Sequence, residues 1–126
     1  MLQRFPFYAY IPAKDVARAR QFYEGKLGLR PKQELAGGVV YEFGEKTACF
    51  LYPTPNAGTS QASQAFWRVD DVEHEVAELK ARGVEFEDYD MPGSDKSASG
   101  VVTAGGAKAA WFKDSEGNIL AIIEDA

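Results

Sequence analysis

Two stretches of this chain repeat one plan: a short apolar strand, an aspartate able to cap a helix, an amphipathic helix, and a glycine thirteen residues after the aspartate. In the first, Phe5 to Ile11 leads to Asp15 and the helix stops at Gly28; in the second, Ala65 to Val69 leads to Asp70 and the helix stops at Gly83. A half-length repeat of this kind restricts the chain to two similar modules and puts a ligand site on the sheet faces that the helices leave open.

The remaining elements follow from local pattern. Phe5, Phe7, Ala9 and Ile11 alternate with Pro6, Tyr8 and Tyr10, the period of a strand with two unlike faces, and Pro12 is expected to end it. Val16, Ala19, Phe22, Tyr23 and Leu27 recur at helical spacing after Asp15. Val39 to Phe43 and Thr47 to Tyr52 are β-rich runs joined by Gly44-Glu45-Lys46, and a short extra strand is expected within Pro31 to Leu35. After a joint rich in Pro, Asn, Gly, Thr and Ser, the second copy reads as a strand, a helix capped by Asp70 or Asp71, and a further strand from Val84 to Tyr89. Met91 to Gly106 is polar and glycine-rich and reads as a mobile loop beside a pocket. Ala107 to Phe112 and Ile119 to Glu124 form a closing hairpin around Asp114 to Asn118, whose Glu-Gly-Asn centre tolerates positive φ.

The expected fold is α+β: two paired βαβββ modules forming a curved, partly open mixed β-barrel with helices on the outside. A chain of 126 residues reads as one domain, with module one about 1–54, a linker about 55–63 and module two about 64–126. Its net charge of -5, without a Lys or Arg cluster, argues against nucleic acid as a partner and tolerates a cationic ligand. No apolar run is long enough for a membrane span and the N-terminus lacks a signal-peptide pattern, so the expected location is cytoplasmic. The single cysteine, Cys49, lies in an apolar strand and reads as a buried core thiol. The single histidine, His74, lies among Glu73, Glu75 and Glu78 on a solvated helix face.

Ile11-Pro-Ala-Lys-Asp15 followed by Phe22-Tyr23 and Leu27-Gly28-Leu29, the Val69-Asp-Asp71 helix start, and the run from Trp111 to Asn118 together resemble the vicinal oxygen chelate superfamily. This is the glyoxalase, bleomycin-resistance and extradiol-dioxygenase group, and the resemblance covers nearly the whole chain. It implies paired βαβββ modules, a cup-shaped site and frequently a homodimer. Enzymes of the group hold a divalent metal through four side chains, two per module, drawn from His, Glu and sometimes Gln. Carried over by position, those ligands fall on Tyr8, at or beside Phe50, on Gln64 and on Ala121. Imidazole and carboxylate suit a divalent ion, whereas Tyr, Phe, Gln and Ala together would not hold one, so no cofactor is expected, with a divalent metal as the alternative.

Strand parity then assigns the cup. Tyr8 and Tyr10 face it if Phe7, Ala9 and Ile11 pack under the helix; Gln64, Phe66 and Arg68 face it in module two, with Ala65, Trp67 and Val69 behind. Ala48, Phe50 and Tyr52 line a third side and Ile119, Ala121 and Ile123 a fourth, and Trp111 shares the parity of Ala121. An aromatic lining of this kind suits a flat or partly apolar ligand held by a few polar contacts. Inside a closed core Arg68 would need a carboxylate such as Glu42; in an open cup it could bind an anion. Metal-free chemistry would call on Tyr8 or Tyr10 as acid, Glu42 as base and Arg68 as stabiliser, but no spacing among them demands it. The favoured reading is a metal-independent small-molecule binding protein resembling the bleomycin-resistance branch. The alternative is a glyoxalase-like lyase, isomerase or dioxygenase with non-standard or absent metal ligands. A third reading makes the cup an assembly surface.

Overall fold

The repeat differs between its two copies by a single residue, and the difference is visible as a change of helix type. The computed structural model describes residues 1–89 and 93–125. In the first copy Asp15 caps α1 (Val16–Arg20), its Oδ1 accepting the Arg18 amide at 3.0 Å, and a π-helical turn (Gln21–Lys26) continues the helix. In the second copy the cap is Asp71, whose Oδ1 accepts the His74 amide at 3.1 Å ahead of α2 (Val72–Ala81). Both helices close on a glycine with positive φ, Gly28 at 73° and Gly83 at 92°. The span from cap to glycine is thus one residue longer in the first copy. Its closing bond, Leu29 amide to Tyr23 carbonyl, is one residue wider than its counterpart from Val84 to Leu79. A π turn absorbs one extra residue without breaking the helix.

The chain forms two compact units, one made of Met1–Thr59 with Ser115–Asn118, the other of the remaining described residues. The first unit holds a four-stranded sheet in the order β1-β4-β3-β2, with β1 (Tyr8–Ala13), β2 (Gln33–Leu35), β3 (Gly38–Glu42) and β4 (Ala48–Pro53). β1 runs parallel to β4, while β3 is antiparallel to both its neighbours. Ile11, Ala13, Val39, Tyr41, Cys49 and Leu51 are buried on one face with Ala19, Phe22 and Tyr23 of the helix, and Tyr23 and Tyr41 meet at 5.9 Å between ring centroids.

The second unit holds a five-stranded sheet in the order β5-β9-β8-β7-β6, with β5 (Ser63–Arg68), β6 (Asp95–Lys96), β7 (Val102–Ala104), β8 (Ala107–Lys113) and β9 (Ile119–Glu124). Val72 and Val76 of α2 are buried, as are Ala110, Phe112, Leu120 and Ile122 of the sheet. Trp67 stacks on Phe112 at 6.3 Å, and Phe86 meets Phe112 edge-on at 5.5 Å. The α+β class and the two mixed sheets agree with the sequence reading.

Several expectations need correction. β1 starts at Tyr8 and includes Pro12, which sits on an edge strand where a missing amide donor is tolerated. Phe5 and Phe7 therefore precede the strand, and Phe7 is 84% exposed and does not pack under the helix. Val84 to Tyr89 makes one isolated bridge, Phe86 to Phe112, in place of a strand. Val84 and Phe86 alternate with Glu85 and Glu87 as a strand would, but the backbone meets β8 only at Phe86 and through the Glu87 amide, which donates to the Trp111 carbonyl at 2.7 Å. The stretch read as a loop from Met91 to Gly106 begins outside the described residues. From Asp95 to Ala104 it is a hairpin, β6 paired with β7, closed by reciprocal bonding around Ser97 and Val101.

Candidate functional site

On the first unit's sheet the face turned away from the helix carries Tyr8, Tyr10, Phe50 and Tyr52. The register sets Tyr10 beside Phe50 and Phe50 beside Val40, while Gln33 lies opposite Val40 on the far edge. These neighbours share a face because side chains directly across a ladder point the same way. A pocket of about 450 Å³ opens there, lined by Tyr8, Ala9, Tyr10, Gln33, Leu35, Val40 and Phe50.

Ring packing fixes its floor. Tyr10 meets Tyr52 edge-on at 4.8 Å and Phe50 at 6.0 Å, while Phe50 and Tyr52 lie nearly parallel at 6.4 Å. Gly38 makes room for Phe50: a Cβ there would lie 2.9 Å from Phe50 Cε1 and 2.1 Å from the Leu51 carbonyl oxygen. Tyr8 and Tyr10 remain 48% and 66% exposed, so their rings stand open to solvent beside Phe50. A rim of charge borders the rings, Lys32 Nζ lying 2.9 Å from Glu42 Oε1, and that carboxylate raises the Lys32 pKa.

On the second unit's sheet Phe66, Ala121 and Trp111 are consecutive neighbours across β5, β9 and β8. Phe66 is 56% exposed, Ala121 is buried, and Tyr89 meets Trp111 edge-on at 5.6 Å. Trp111 thus shares the face of Ala121, and Phe112 is the one that packs under α2. Gln64 sits in a register shift between Ser63 and Ala65. Arg68 Nε pairs with Asp125 Oδ2 at 3.0 Å, both side chains being largely exposed, while Glu42 pairs with Lys32. His74 is exposed, and Cys49 is buried, its thiol pushed up to about 11 by burial.

A family model described as the Glyoxalase/Bleomycin resistance protein/Dioxygenase superfamily matches residues 5–122. The chain belongs to this superfamily. No curated protein sequence matches it. Solved structures similar to it include a glyoxalase/bleomycin resistance protein from Catenulispora acidiphila, 21% identical over 97% of this chain and 99% of that one, with a TM-score of 0.70. TnmS3, an antibiotic binding protein from a Streptomyces species, is 21% identical over 97% and 96%, with a TM-score of 0.66. Lactoylglutathione lyase from Agrobacterium tumefaciens is 16% identical over 95% and 92%, again with a TM-score of 0.66. At these identities the likeness is one of fold.

The divalent metal implied by enzymes of this superfamily does not fit the residues present. Of the four carried-over positions, Phe50 and Ala121 offer no donor atom, Tyr8 offers a phenol and Gln64 a neutral amide. Among the described residues no group of three or more His, Cys, Asp or Glu side chains gathers in metal-binding reach.

Two further groups escaped the sequence reading. Gln33 and Leu35 line the pocket from a strand of three residues, too short to show a period. Glu116, in the turn between β8 and β9, is buried against α1. Its Oε1 accepts the Asp15 amide at 2.9 Å and Arg18 Nη2 at 3.0 Å; its Oε2 accepts Arg18 Nε at 2.8 Å and the Ser115 hydroxyl at 2.9 Å. The Arg18 hydrogen bond outweighs burial and holds the carboxyl at about 2. A carboxylate also meets the second helix start, where Glu124 Oε1 accepts the Val72 amide at 3.0 Å. Apolar patterning carries no trace of such long-range pairs.

Proposed function

We propose that this member of the superfamily is a small-molecule binding protein that takes a flat, partly apolar ligand on the face formed by Tyr8, Tyr10, Phe50 and Tyr52. The observation that carries this reading is the pocket of about 450 Å³ bounded by half-exposed tyrosines and by Phe50. Covering an aromatic ring with another contributes roughly 0.5 to 1.5 kcal/mol beyond area burial, so a planar ligand gains most where rings already stand exposed. The Tyr8 and Tyr10 hydroxyls and the Gln33 amide supply the few orienting contacts. Phe66, Trp111, Ala121, Gln64 and Arg68 are assigned as ligand-binding residues of the second unit, and the working form is a cytoplasmic homodimer. Binding is metal-independent, a reading supported by the donor-poor carried-over positions. The antibiotic-binding description of TnmS3 supports a binding role for this fold, and the lyase description of another neighbour keeps enzymes within the fold's range.

A thermal-shift and fluorescence screen of planar aromatic antibiotics and metabolites, with and without divalent ions, tests the proposal. The expected result is a ligand that raises the unfolding temperature without added metal and loses this effect in Tyr10→Ala. A hit that requires metal, or that Tyr10→Ala binds equally well, would overturn it.

A further inference from the structure

One wall of the pocket is held by very little of its own. β2 is three residues long, forms the edge of its sheet, pairs with β3 and is exposed along its whole length. Gln33 and Leu35 line the pocket, so Glu34 between them points to the opposite face, the side of α1. There Arg20 Nη1 meets Glu34 Oε1 at 2.5 Å. The same guanidinium donates from Nε to Glu24 Oε2 at 2.6 Å, and that oxygen also accepts the Tyr41 hydroxyl at 2.9 Å. Tyr41 is 1% exposed. Arg20 is therefore fixed from the core outward, through Tyr41 and Glu24, and passes that position on to β2. The turn into β3 has positive φ at both central residues, Ala36 at 49° and Gly37 at 78°, and the first of them is not the Asn, Asp or Gly that such a turn favours.

We propose that Arg20 is a positioning residue for the ligand site: through Glu34 it holds β2, and so Gln33 and Leu35, against Tyr8, Tyr10 and Phe50, and ligand leaves when the Arg20–Glu34 pair opens. The functional half of this rests on the binding reading above; the mechanical half does not. The Arg20 and Glu34 side chains are 28% and 71% exposed, so salt screens the pair. An uncharged ligand has no charge of its own for salt to screen, yet this latch makes its release depend on ionic strength.

The test compares the full chain with Glu34→Ala and Glu34→Gln by two readouts. Hydrogen exchange of the free protein reads the latch directly: amides of residues 33–35 should exchange about two- to fivefold faster in Glu34→Ala at low salt, as loss of one exposed ion pair allows. Stopped-flow release of N-phenylnaphthylamine, an uncharged fluorescent probe, should accelerate by the same factor. Sodium chloride should bring wild-type release up to the Glu34→Ala rate and leave that variant unchanged, with Glu34→Gln, which keeps a hydrogen-bond acceptor, in between. Equal exchange in Glu34→Ala and wild type would overturn the proposal whether or not the probe binds. Faster exchange without faster release would overturn the positioning role. A probe that ignores wild type, or binds Tyr10→Ala equally well, would instead count against the binding reading, and the exchange result would still judge the latch.

Discussion

Replacing Glu116 by Gln removes a charge from the most completely satisfied carboxylate described above. Its side chain is fully buried, and the Arg18 fork, the Asp15 amide and the Ser115 hydroxyl supply four donors to its two oxygens. The folded pKa of about 2 lies roughly two units below the ordinary glutamate value. Because the folded value is the lower one, the stabilisation is fully present above about pH 5 and is lost as pH falls through the folded value. Two units correspond to about 3 kcal/mol as an upper bound, and Arg18, whose side chain is 52% exposed, is partly screened, which leaves about 2 kcal/mol. Glutamine keeps an acceptor for the Asp15 amide but turns an NH2 donor toward Arg18 donors, so its cost is also about 2 kcal/mol. Urea unfolding of wild type and Glu116→Gln at a series of pH values should show that gap at pH 7 and its closure as pH falls toward 2. In a double-mutant cycle with Arg18→Met the two losses should be strongly non-additive. A gap at pH 7 below about 0.5 kcal/mol, within the range of an ordinary surface substitution, or a gap of 2 that does not change with pH, would refute the reasoning.

Two other predictions follow from backbone and burial. Ala36→Asn supplies the Asn-Gly pair that a turn with two positive φ values favours, and should stabilise the chain by about 0.5 to 1 kcal/mol in the same urea assay; a loss of stability would mean the turn does not keep this geometry. Cys49, with its thiol pushed up to about 11 by burial, should resist Ellman's reagent at pH 8, where about one thiol in a thousand would be ionised, and should react fully in urea. Rapid labelling of the native protein would contradict its placement in the core.

What the sequence made legible was whatever short-range chemistry controls. Aspartate caps and glycine stops marked both helices, and period-two alternation sorted Ile11 from Tyr10 and Leu51 from Phe50 onto opposite faces. The π turn stayed hidden because Asp70 and Asp71 are adjacent, and counting from the wrong one makes the two copies look equal in length. Phe7 is large and apolar yet exposed, and no alternation rule separates an apolar residue at the start of a strand from one just before it. The β6–β7 hairpin leaves no mark in the sequence because its strands are two and three residues long, too short to show a period, and β7 also pairs with β8, whose position no local pattern gives. The pocket floor was visible as a tyrosine and phenylalanine stripe, whereas the wall bearing Gln33 and Leu35 emerges only from strand register.

The turn at Ser115–Asn118 gives the chain an unusual schedule of assembly. Those residues complete the first unit, whose other residues all precede position 60, so the two units are interlaced in sequence although each is compact. Glu116 meets Arg18 across 98 positions, and Asn118 Nδ2 donates to the Pro12 carbonyl across 106 at 2.8 Å. On a ribosome the first fifty-nine residues would emerge long before the carboxylate that seals their helix, and contacts of such separation form late and slowly. The N-terminal half therefore waits, incomplete, for the last hairpin to be made. Cutting the chain at the linker should yield no stable first half, so the repeat that divides this sequence so cleanly does not mark two parts able to fold apart.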